Sequence, residues 1–441
     1  MFRGRVEFES LRGALTGNIV GRLVQIVALL LSAVVLARLL GPAGLGLVAI
    51  AAATVRLATI PIEEGAAKLC EREIAGAIGK ADRVQASAAL RFGALATIAF
   101  GAIGALAVWA LGPIGREDGL LPAALGLLGA NAVTATLRGV LRGEGQTTRA
   151  IAITNAQSFL APLLYLLWAA GGGSFTPDVA LWLQAASKIA LLPVLILLIH
   201  RCWRLVGDGA AGTVTRSGWL GESLQFALLG LITVALAELG TVMLGYLSTP
   251  EQAGLFRIAS RAFLLAGFVT LAAQQAYGPR IARDWQAGNR AALELPSRMM
   301  SVAALAGAIA ALIGFALLGR WLLTVAFGPA FEAAFLPALI MVAGSVSASF
   351  GALSPRLLKM TGEQRIVFRA ALLALAIATV LNLALIPHYG ATGCAVASAV
   401  AVTVGRAVMN HGVRRHLGFS ALPDRASARA LLRRLVRQTP S

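Results

Sequence analysis

Apolar runs long enough to cross a bilayer recur twelve times along this chain, with almost no sequence left over between them. A membrane-spanning helix needs ~20 mostly apolar residues. The runs lie at 17–40, 45–66, 86–112, 119–141, 150–171, 178–200, 219–247, 253–278, 298–326, 332–354, 366–387 and 390–413. The longest connections, 67–85, 201–218 and 279–297, are short and polar. They leave no room for a soluble catalytic domain, so whatever this chain does it does inside the membrane. Apolar residues make up 58% of the chain and charged residues 13%, against roughly 25% charged in soluble proteins. The 48 glycines suit helices that pack closely through small residues. The fold class predicted is an all-α polytopic membrane protein.

The polar opening carries Arg3, Arg5 and Arg12 and is not followed by a short apolar core with a small-residue cleavage site. The first span is therefore expected to act as an uncleaved anchor. Cys70, Cys202 and Cys394 are scattered, with no metal spacing and no disulfide framework. The net charge of +18 does not point to nucleic acid, because of where it sits. With the N-terminus inside, the inner segments carry Lys68, Arg72, Lys80 and Arg83, then Arg138, Arg142 and Arg149, then Arg201, Arg204 and Arg216. They continue with Arg280, Arg283, Arg290 and Arg298, then Arg356, Lys359 and Arg365, and a basic C-terminal tail. The outer segments hold Arg116 and Arg320 and little else that is basic. This positive-inside alternation predicts both termini in the cytoplasm. In the tail, Leu431, Leu432, Leu435 and Val436 interleave with Arg429, Arg433, Arg434 and Arg437. Two readings stand: a basic amphipathic helix on an anionic leaflet, or a solvated tail.

The chain reads as a duplication. Pro42 to Ala51 aligns with Pro250 to Ala259, which sets Gly46-Leu47 opposite Gly254-Leu255. Leu141 to Gln146 resembles Leu358 to Glu363 in the turn between the fourth and fifth spans of each half. Six spans per half give both halves the same orientation, which is a parallel repeat about an axis along the membrane normal. The predicted organisation is a cytoplasmic segment at 1–16, a six-helix lobe at 17–200 and a linker at 201–218. A second six-helix lobe at 219–416 and a basic tail at 417–441 complete it. The substrate path is expected between the lobes.

Four segments in order carry a family resemblance. Leu36-Ala37-Arg38-Leu39-Leu40-Gly41-Pro42, followed by Gly46-Leu47, resembles the first outer turn of the polysaccharide-type flippases of the multidrug/oligosaccharidyl-lipid/polysaccharide (MOP) exporter superfamily. Ala253 to Phe256 with Gly278 to Ala282 resembles their eighth span and its exit, and Phe327 to Phe331 their ninth-to-tenth turn. Asn382 to Pro387, followed by Gly390 and Gly393, resembles their eleventh-to-twelfth turn. The resemblance covers roughly residues 14–416. It implies a fold that moves lipid-linked saccharides from the inner to the outer leaflet of the bacterial inner membrane. MurJ-like members commonly carry two further spans, so twelve favours the Wzx-like O-antigen and exopolysaccharide branch.

Ionisable groups inside spans are costly and usually face a cavity. Arg22, Arg38, Arg56, Glu63, Lys188, Glu238, Arg257, Arg261 and Arg406 are such groups. Arg38 and Arg406 lie near span ends, where long side chains snorkel to the headgroups. Arg56 lies ~16 Å along the second span, near mid-membrane, and Lys188 is at comparable depth in the sixth. Arg257 and Arg261, four apart, share one helix face. A cationic cavity of Arg22, Arg56, Lys188, Arg257 and Arg261 suits a pyrophosphate, whose oxygens match guanidinium donors. The resemblance implies that arginines on the first, second and eighth spans contact the pyrophosphate, and Arg22, Arg56 and Arg257 or Arg261 occupy those spans. The alternative is structural pairing, of Arg56 with Glu63 or of Arg257 with Glu238.

Glu238, a lone mid-span acid, suggests proton or sodium coupling. The resemblance to MurJ-like proteins implies a sodium site on spans seven, eleven and twelve, where Glu238, Asn382 and Thr403 stand; no acid accompanies Asn382, so a proton or a plain ion pair is an equal reading. No cofactor is expected. Pro61, Pro162, Pro193 and Pro337 are expected to kink their spans. Gln225, Gln274, Gln275 and Tyr277 are candidate sugar contacts.

The leading function is a lipid-linked saccharide flippase working by alternating access, with the bilayer as partner and a polysaccharide polymerase as a further one. A cation-coupled multidrug exporter of the same superfamily is the second reading, though its site should be acidic rather than rich in arginine. A ligase or polymerase acting on the same lipids is the third. It would need a large outer loop, and His200, His388, His411 and His416 sit at span ends without catalytic partners.

Overall fold

The computed structural model describes residues 11–80, 82–112, 119–203, 218–289 and 291–429, and every regular element among them is helical. In chain order the first are α1 (Leu11–Ile60), a π-helical stretch (Pro61–Ala66), α2 (Ala67–Gly79), α3 (Arg83–Leu111) and α4 (Leu120–Gly143). α5 (Thr147–Ala170), α6 (Pro177–Ile189), α7 (Leu192–Trp203), α8 (Trp219–Leu247), α9 (Pro250–Ala266) and α10 (Phe268–Gln286) follow. α11 (Ala291–Phe327), a 3-10 turn (Pro329–Ala334), α12 (Phe335–Ser349), α13 (Ser354–Met360) and α14 (Gln364–Leu417) complete the order.

Nine helices among the described residues are long and apolar enough to cross a membrane, and the bent pair α9 and α10 makes a tenth. Two of these stretches run for 57 and 54 residues, at Leu23–Gly79 and Gln364–Leu417, more than twice what a ~30 Å core requires. Each contains a glycine with non-helical geometry, Gly41 (φ 67°, ψ −175°) and Gly390 (φ 50°, ψ −126°). Both stand where the sequence places an outer turn, and positive φ costs other residues ~1–2 kcal/mol. Divided at these glycines, the ten apolar stretches become the twelve spans of the sequence.

The hairpin in α14 is visible in its packing. A Cβ on Gly393 would lie 2.5 Å from the Leu385 carbonyl oxygen, one on Gly405 3.3 Å from Ala374 Cβ, and one on Gly412 2.7 Å from Ile366 Cγ2. Steps outward along one arm match steps back along the other, so the arms are antiparallel about Gly390. Ala391 N donates to Gln252 Oε1 at 2.9 Å, which pins the start of the returning arm. Positive-φ glycines stand at matching places of the two sequence halves: Gly145 (φ 81°) and Gly362 (φ 90°), and Gly172 (φ 77°) and Gly390 (φ 50°).

Several spans are broken, some beside prolines expected to kink them and some where the sequence suggests a straight helix or a loop. The polar stretch after residue 66 continues as helix α2 instead of a loop. Pro61, which lacks an N–H, opens the π-helical widening at 61–66. The sixth span is split into α6 and α7 one residue before Pro193, and Gln157 Nε2 donates to the Lys188 carbonyl beside the break. The eighth span bends by 52° between α9 and α10 at Gly267. Pro162, by contrast, lies inside an unbroken α5, and Pro337 sits in the first turn of α12.

Two compact units emerge, Met1–Gly245 and Tyr246–Ser441. The sequence puts α8 at the head of the second half, whereas its side chains pack within the first unit. Arg56 pairs with Glu238 and Arg72 with Glu222, and a Cβ on Gly65 would meet the Ser223 carbonyl at 2.8 Å. As one residue number rises the other falls, so α8 runs antiparallel to the second arm of α1 and to α2. Cys70 and Cys394 are buried as expected of inert thiols; the side chain of Cys202 lies outside the described residues.

In the second unit the chain turns at Gly418 (φ 77°) and lies back on α11. Arg298 Nε donates to the Ser420 carbonyl at 2.8 Å, Ser301 Oγ to that of Ala421 at 2.8 Å, and Arg298 Nη1 to Asp424 at 2.5 Å. Asp424 caps the short helix that follows, accepting from Ser427 N at 2.6 Å. The basic tail residues from 431 onward lie outside the described residues. Hydrogen bonds from Ser427, and then the Arg298 guanidinium, hold the Asp424 carboxyl below its ordinary 3.8. A carboxyl lowered in this way stabilises the fold above its ordinary value, and the contribution is lost as pH falls through the lowered one. Asp424→Ala is expected to speed amide exchange at Ser427 roughly fivefold at pH 7, from a capping term of ~1 kcal/mol. The difference should narrow near pH 3, read by hydrogen exchange in detergent.

Candidate functional site

The first unit gathers five ionisable side chains from four of its helical spans. Arg56, on the second arm of α1, donates from Nη1 to Glu238 Oε1 on α8 at 2.6 Å. The Glu238 side chain is 4% exposed and that of Arg56 50%, so the carboxylate is enclosed while the guanidinium keeps an open side. Two turns along from Arg56, the π-helical stretch presents Glu63, whose Oε1 lies 3.7 Å from Arg138 Nη2 on α4. Arg138 is held further by the Thr134 carbonyl at 3.2 Å and Thr154 Oγ1 at 3.1 Å. Lys188, at the end of α6, lies within the electrostatic influence of Arg138, Glu63 and Arg56. With all five ionised, three cations face two carboxylates, and the cluster carries one excess positive charge.

Pairings differ from those weighed on the sequence. Arg56 takes Glu238 in place of Glu63, and Glu63 takes Arg138. On the sequence Arg138 reads as an inner-loop charge, yet its side chain is 13% exposed and belongs to this cluster. Its signal was its position five residues before the end of α4, after a Thr-Ala-Thr-Leu run. One end of the same unit is laced by further pairs: Glu64 with Lys68, Arg72 with both Glu73 and Glu222, and Arg142 with Glu71. Gln85 Nε2 donates to Glu73 at 2.8 Å. These tie α2 to α3, α4 and α8, and their three cations face four carboxylates, so the positive excess is confined to the Arg56 cluster.

Arg22 lies in α1, but its side chain is outside the described residues. In the second unit Arg257 and Arg261 are half-buried on one face of α9. Asn382 is 2% exposed, and its Oδ1 has no hydrogen-bond partner among the described residues. Thr403, on the other arm of α14, bonds Ser347 Oγ at 2.7 Å and the Ala399 carbonyl at 2.7 Å. By the register of the hairpin, Asn382 stands opposite residues near 396, so Thr403 is offset from it by ~10 Å along the axis. Among the proposed sugar contacts, Gln274 Nε2 donates to the Ala352 carbonyl at 2.9 Å, Gln225 is exposed and the Gln275 side chain lies outside the described residues. No group of three or more His, Cys, Asp or Glu side chains able to hold a metal occurs among the described residues.

The fold is that of known transporters. The lipid II flippase MurJ in an inward closed conformation superposes with a TM-score of 0.70 at 12% identity, covering 96% of this chain and 93% of that one. An inward-facing multidrug resistance MATE family transporter of the MOP superfamily gives 0.69 at 16% identity, covering 89% and 94%. A MOP-superfamily transporter from Pyrococcus furiosus, described as having a binding pocket of reverse polarity, gives 0.64 at 15%, covering 92% and 94%. No curated protein matches the sequence. A family model for polysaccharide biosynthesis proteins matches residues 12–285. With more than half of its length matched, the chain belongs to the polysaccharide biosynthesis protein family; it is a multi-pass membrane protein with the fold seen in MOP-superfamily transporters.

Proposed function

We propose that this protein flips a saccharide carried on a polyprenyl diphosphate from the cytoplasmic to the outer leaflet of the bacterial inner membrane, for cell-surface polysaccharide. The observation that carries the reading is the Arg56–Glu238 pair, half open and set in a cluster with one cation in excess. A diphosphate offers Arg56 more acceptor oxygens than a single carboxylate does, and in a low-dielectric interior the exchange is governed by local charge. Arg138 and Lys188 supply further positive charge beside it. Family membership and the likeness to a lipid II flippase support the same substrate class.

Alternating access follows from that exchange. In the unloaded state Glu238 neutralises Arg56; substrate phosphate displaces it, and release outside restores the pair. A proton on Glu238 also frees Arg56, which makes a proton the simplest coupling ion in this reading. With the termini in the cytoplasm, moving an anion outward is favoured by the membrane potential by ~2.3 kcal/mol per charge per 100 mV.

One observation favours the second reading, a cation-coupled multidrug exporter: the enclosed Glu238 carboxylate, which an organic cation would seek, on a fold shared with MATE transporters. The two separate in one experiment. The gene is expressed in a strain lacking its polysaccharide flippase and in a strain lacking its dye exporters. The proposal expects surface polysaccharide restored, lipid-linked precursor cleared and no change in ethidium efflux. Ethidium efflux without restored polysaccharide would establish the exporter instead.

A further inference from the structure

We infer that Arg138 is a positioning residue for the phosphate site: by engaging Glu63 it leaves the Lys188 ammonium as the unmatched cation, ready for a phosphate. The inference rests on the diphosphate reading above. Of the five ionisable groups in the cluster, four are paired. Arg56 donates to Glu238 at 2.6 Å, and Arg138 Nη2 lies 3.7 Å from Glu63 Oε1. No ion pair or hydrogen bond among the described residues engages the Lys188 ammonium, and the bond made at this residue is to its main-chain carbonyl. The next carboxylates along the same stretch of chain, Glu64 and Glu71, are matched by Lys68 and Arg142. The one excess charge of the cluster therefore stands on Lys188.

Helix register brings the two cations together. On α5, Thr154 accepts from Arg138 Nη1 at 3.1 Å, and Gln157 donates to the Lys188 carbonyl at 3.3 Å. Residues three apart on a helix are neighbours on one face. α4 runs parallel to α6 and α7, since a Cβ on Gly126 would run into the Trp182 ring and, further along both, Leu141 and Leu195 share a buried cluster. Counted from Gly126 and Trp182, Lys188 stands level with residue 132 of α4, and Arg138 Nε reaches back to the Thr134 carbonyl at 3.2 Å. Lys188 and the Arg138 guanidinium thus lie within ~5 Å of one another along the helix axes, about one turn.

The two cations are not equivalent. Arg138 Nε, Nη1 and Nη2 face the Thr134 carbonyl, Thr154 Oγ1 and Glu63, and the side chain is 13% exposed. Little of it is left for a ligand. Lys188 is half-buried, and its ammonium keeps its donors for an incoming oxygen. It stands in the last turn of α6, where a helix C-terminus favours a cation. The break in the sixth span thus helps to hold this charge without a carboxylate. Arg138→Gln releases Glu63, whose field already reaches Lys188, and two cations then face two carboxylates. Removing Glu63 as well returns one excess cation to Lys188.

Native mass spectrometry of the purified full-length protein with geranylgeranyl diphosphate tests this. Arg138→Gln is expected to weaken binding by ~10-fold, and Arg138→Gln with Glu63→Gln to return it to within ~3-fold of the parent. Glu63→Gln alone, which adds to the positive excess, should tighten binding ~3-fold. Lys188→Gln should weaken it as Arg138→Gln does, with no rescue by Glu63→Gln, because the charge then returns to an arginine whose donors are engaged. A double variant of Arg138 and Glu63 that binds no better than Arg138→Gln makes Arg138 a structural clip between helices and overturns the inference. Rescue of Lys188→Gln by Glu63→Gln reduces the effect to overall charge and overturns it too. Should Arg138→Gln fail to accumulate, Glu63→Gln decides, and binding equal to or weaker than the parent overturns the inference while the flippase reading stands. A parent protein that binds no diphosphate overturns the flippase reading, and the inference falls with it.

Discussion

Arg56→Ala is expected to abolish surface polysaccharide and to destabilise the protein, while Arg56→Ala with Glu238→Ala restores the stability and not the transport. The single change strands a carboxylate that is 4% exposed. Breaking a fully buried pair from one side costs ~3–5 kcal/mol. Because half of Arg56 is open to its surroundings, ~2 kcal/mol is the better expectation here. Removing both partners removes the stranded charge, so the cycle should return a coupling of similar size. Transport behaves differently if the guanidinium is there to receive phosphate, since no substitution at Glu238 replaces it. Thermal unfolding in detergent and surface polysaccharide, measured on the same four proteins, give the two readouts. A double variant that transports normally would reduce the pair to a structural clip.

Gly139→Val is expected to lower the unfolding temperature sharply or to prevent accumulation. A Cβ on Gly139 would lie 2.5 Å from the Ala67 carbonyl oxygen and 3.0 Å from Ala67 C and Cα. These are backbone atoms, which cannot rotate away as a side-chain end would. α2 and α4 meet through small residues, the usual route to close approach of membrane helices. Overpacking costs ~1–3 kcal/mol, and the upper end applies where backbone must move and a β-branched side chain is added. Gly76→Ala, where an added Cβ meets nothing within 4 Å, should change stability by less than ~0.5 kcal/mol. Equal behaviour of the two variants would mean that the α2–α4 contact is looser than the geometry implies.

Much of this architecture was legible because bilayer thickness forces it into the sequence. Apolar length and Gly-Pro punctuation place the turns at Gly41 and Gly390 correctly, even where one helix appears continuous across them. Breaks inside the membrane are harder to read, since α9 and α10 are divided by a single glycine within an apolar run. On the sequence α2 reads as a loop, because its charges suit an aqueous connection. In the structure those charges are matched in pairs with α4, α8 and one another, a tertiary fact with no local signature. The site was half legible for the same reason. Depth along a span singled out Arg56, Lys188 and Glu238. Arg138 lies near a span end, where polarity predicts exposure, and only its packing against Thr154 and Glu63 encloses it. Arg406 reads the same way on the sequence, and in the structure its Nη1 is buried.

The central claim is that this protein moves a lipid diphosphate and that Arg56 handles the charge. The most direct measurement is translocation of a fluorescent saccharide-linked polyprenyl diphosphate in proteoliposomes, with wild type and Arg56→Ala side by side and an inside-negative potential imposed. The account predicts protein-dependent translocation by the wild type and at least a tenfold slower rate in Arg56→Ala at equal reconstitution. Wild-type vesicles that leave the lipid in place, but exchange ethidium for protons or sodium, would contradict it.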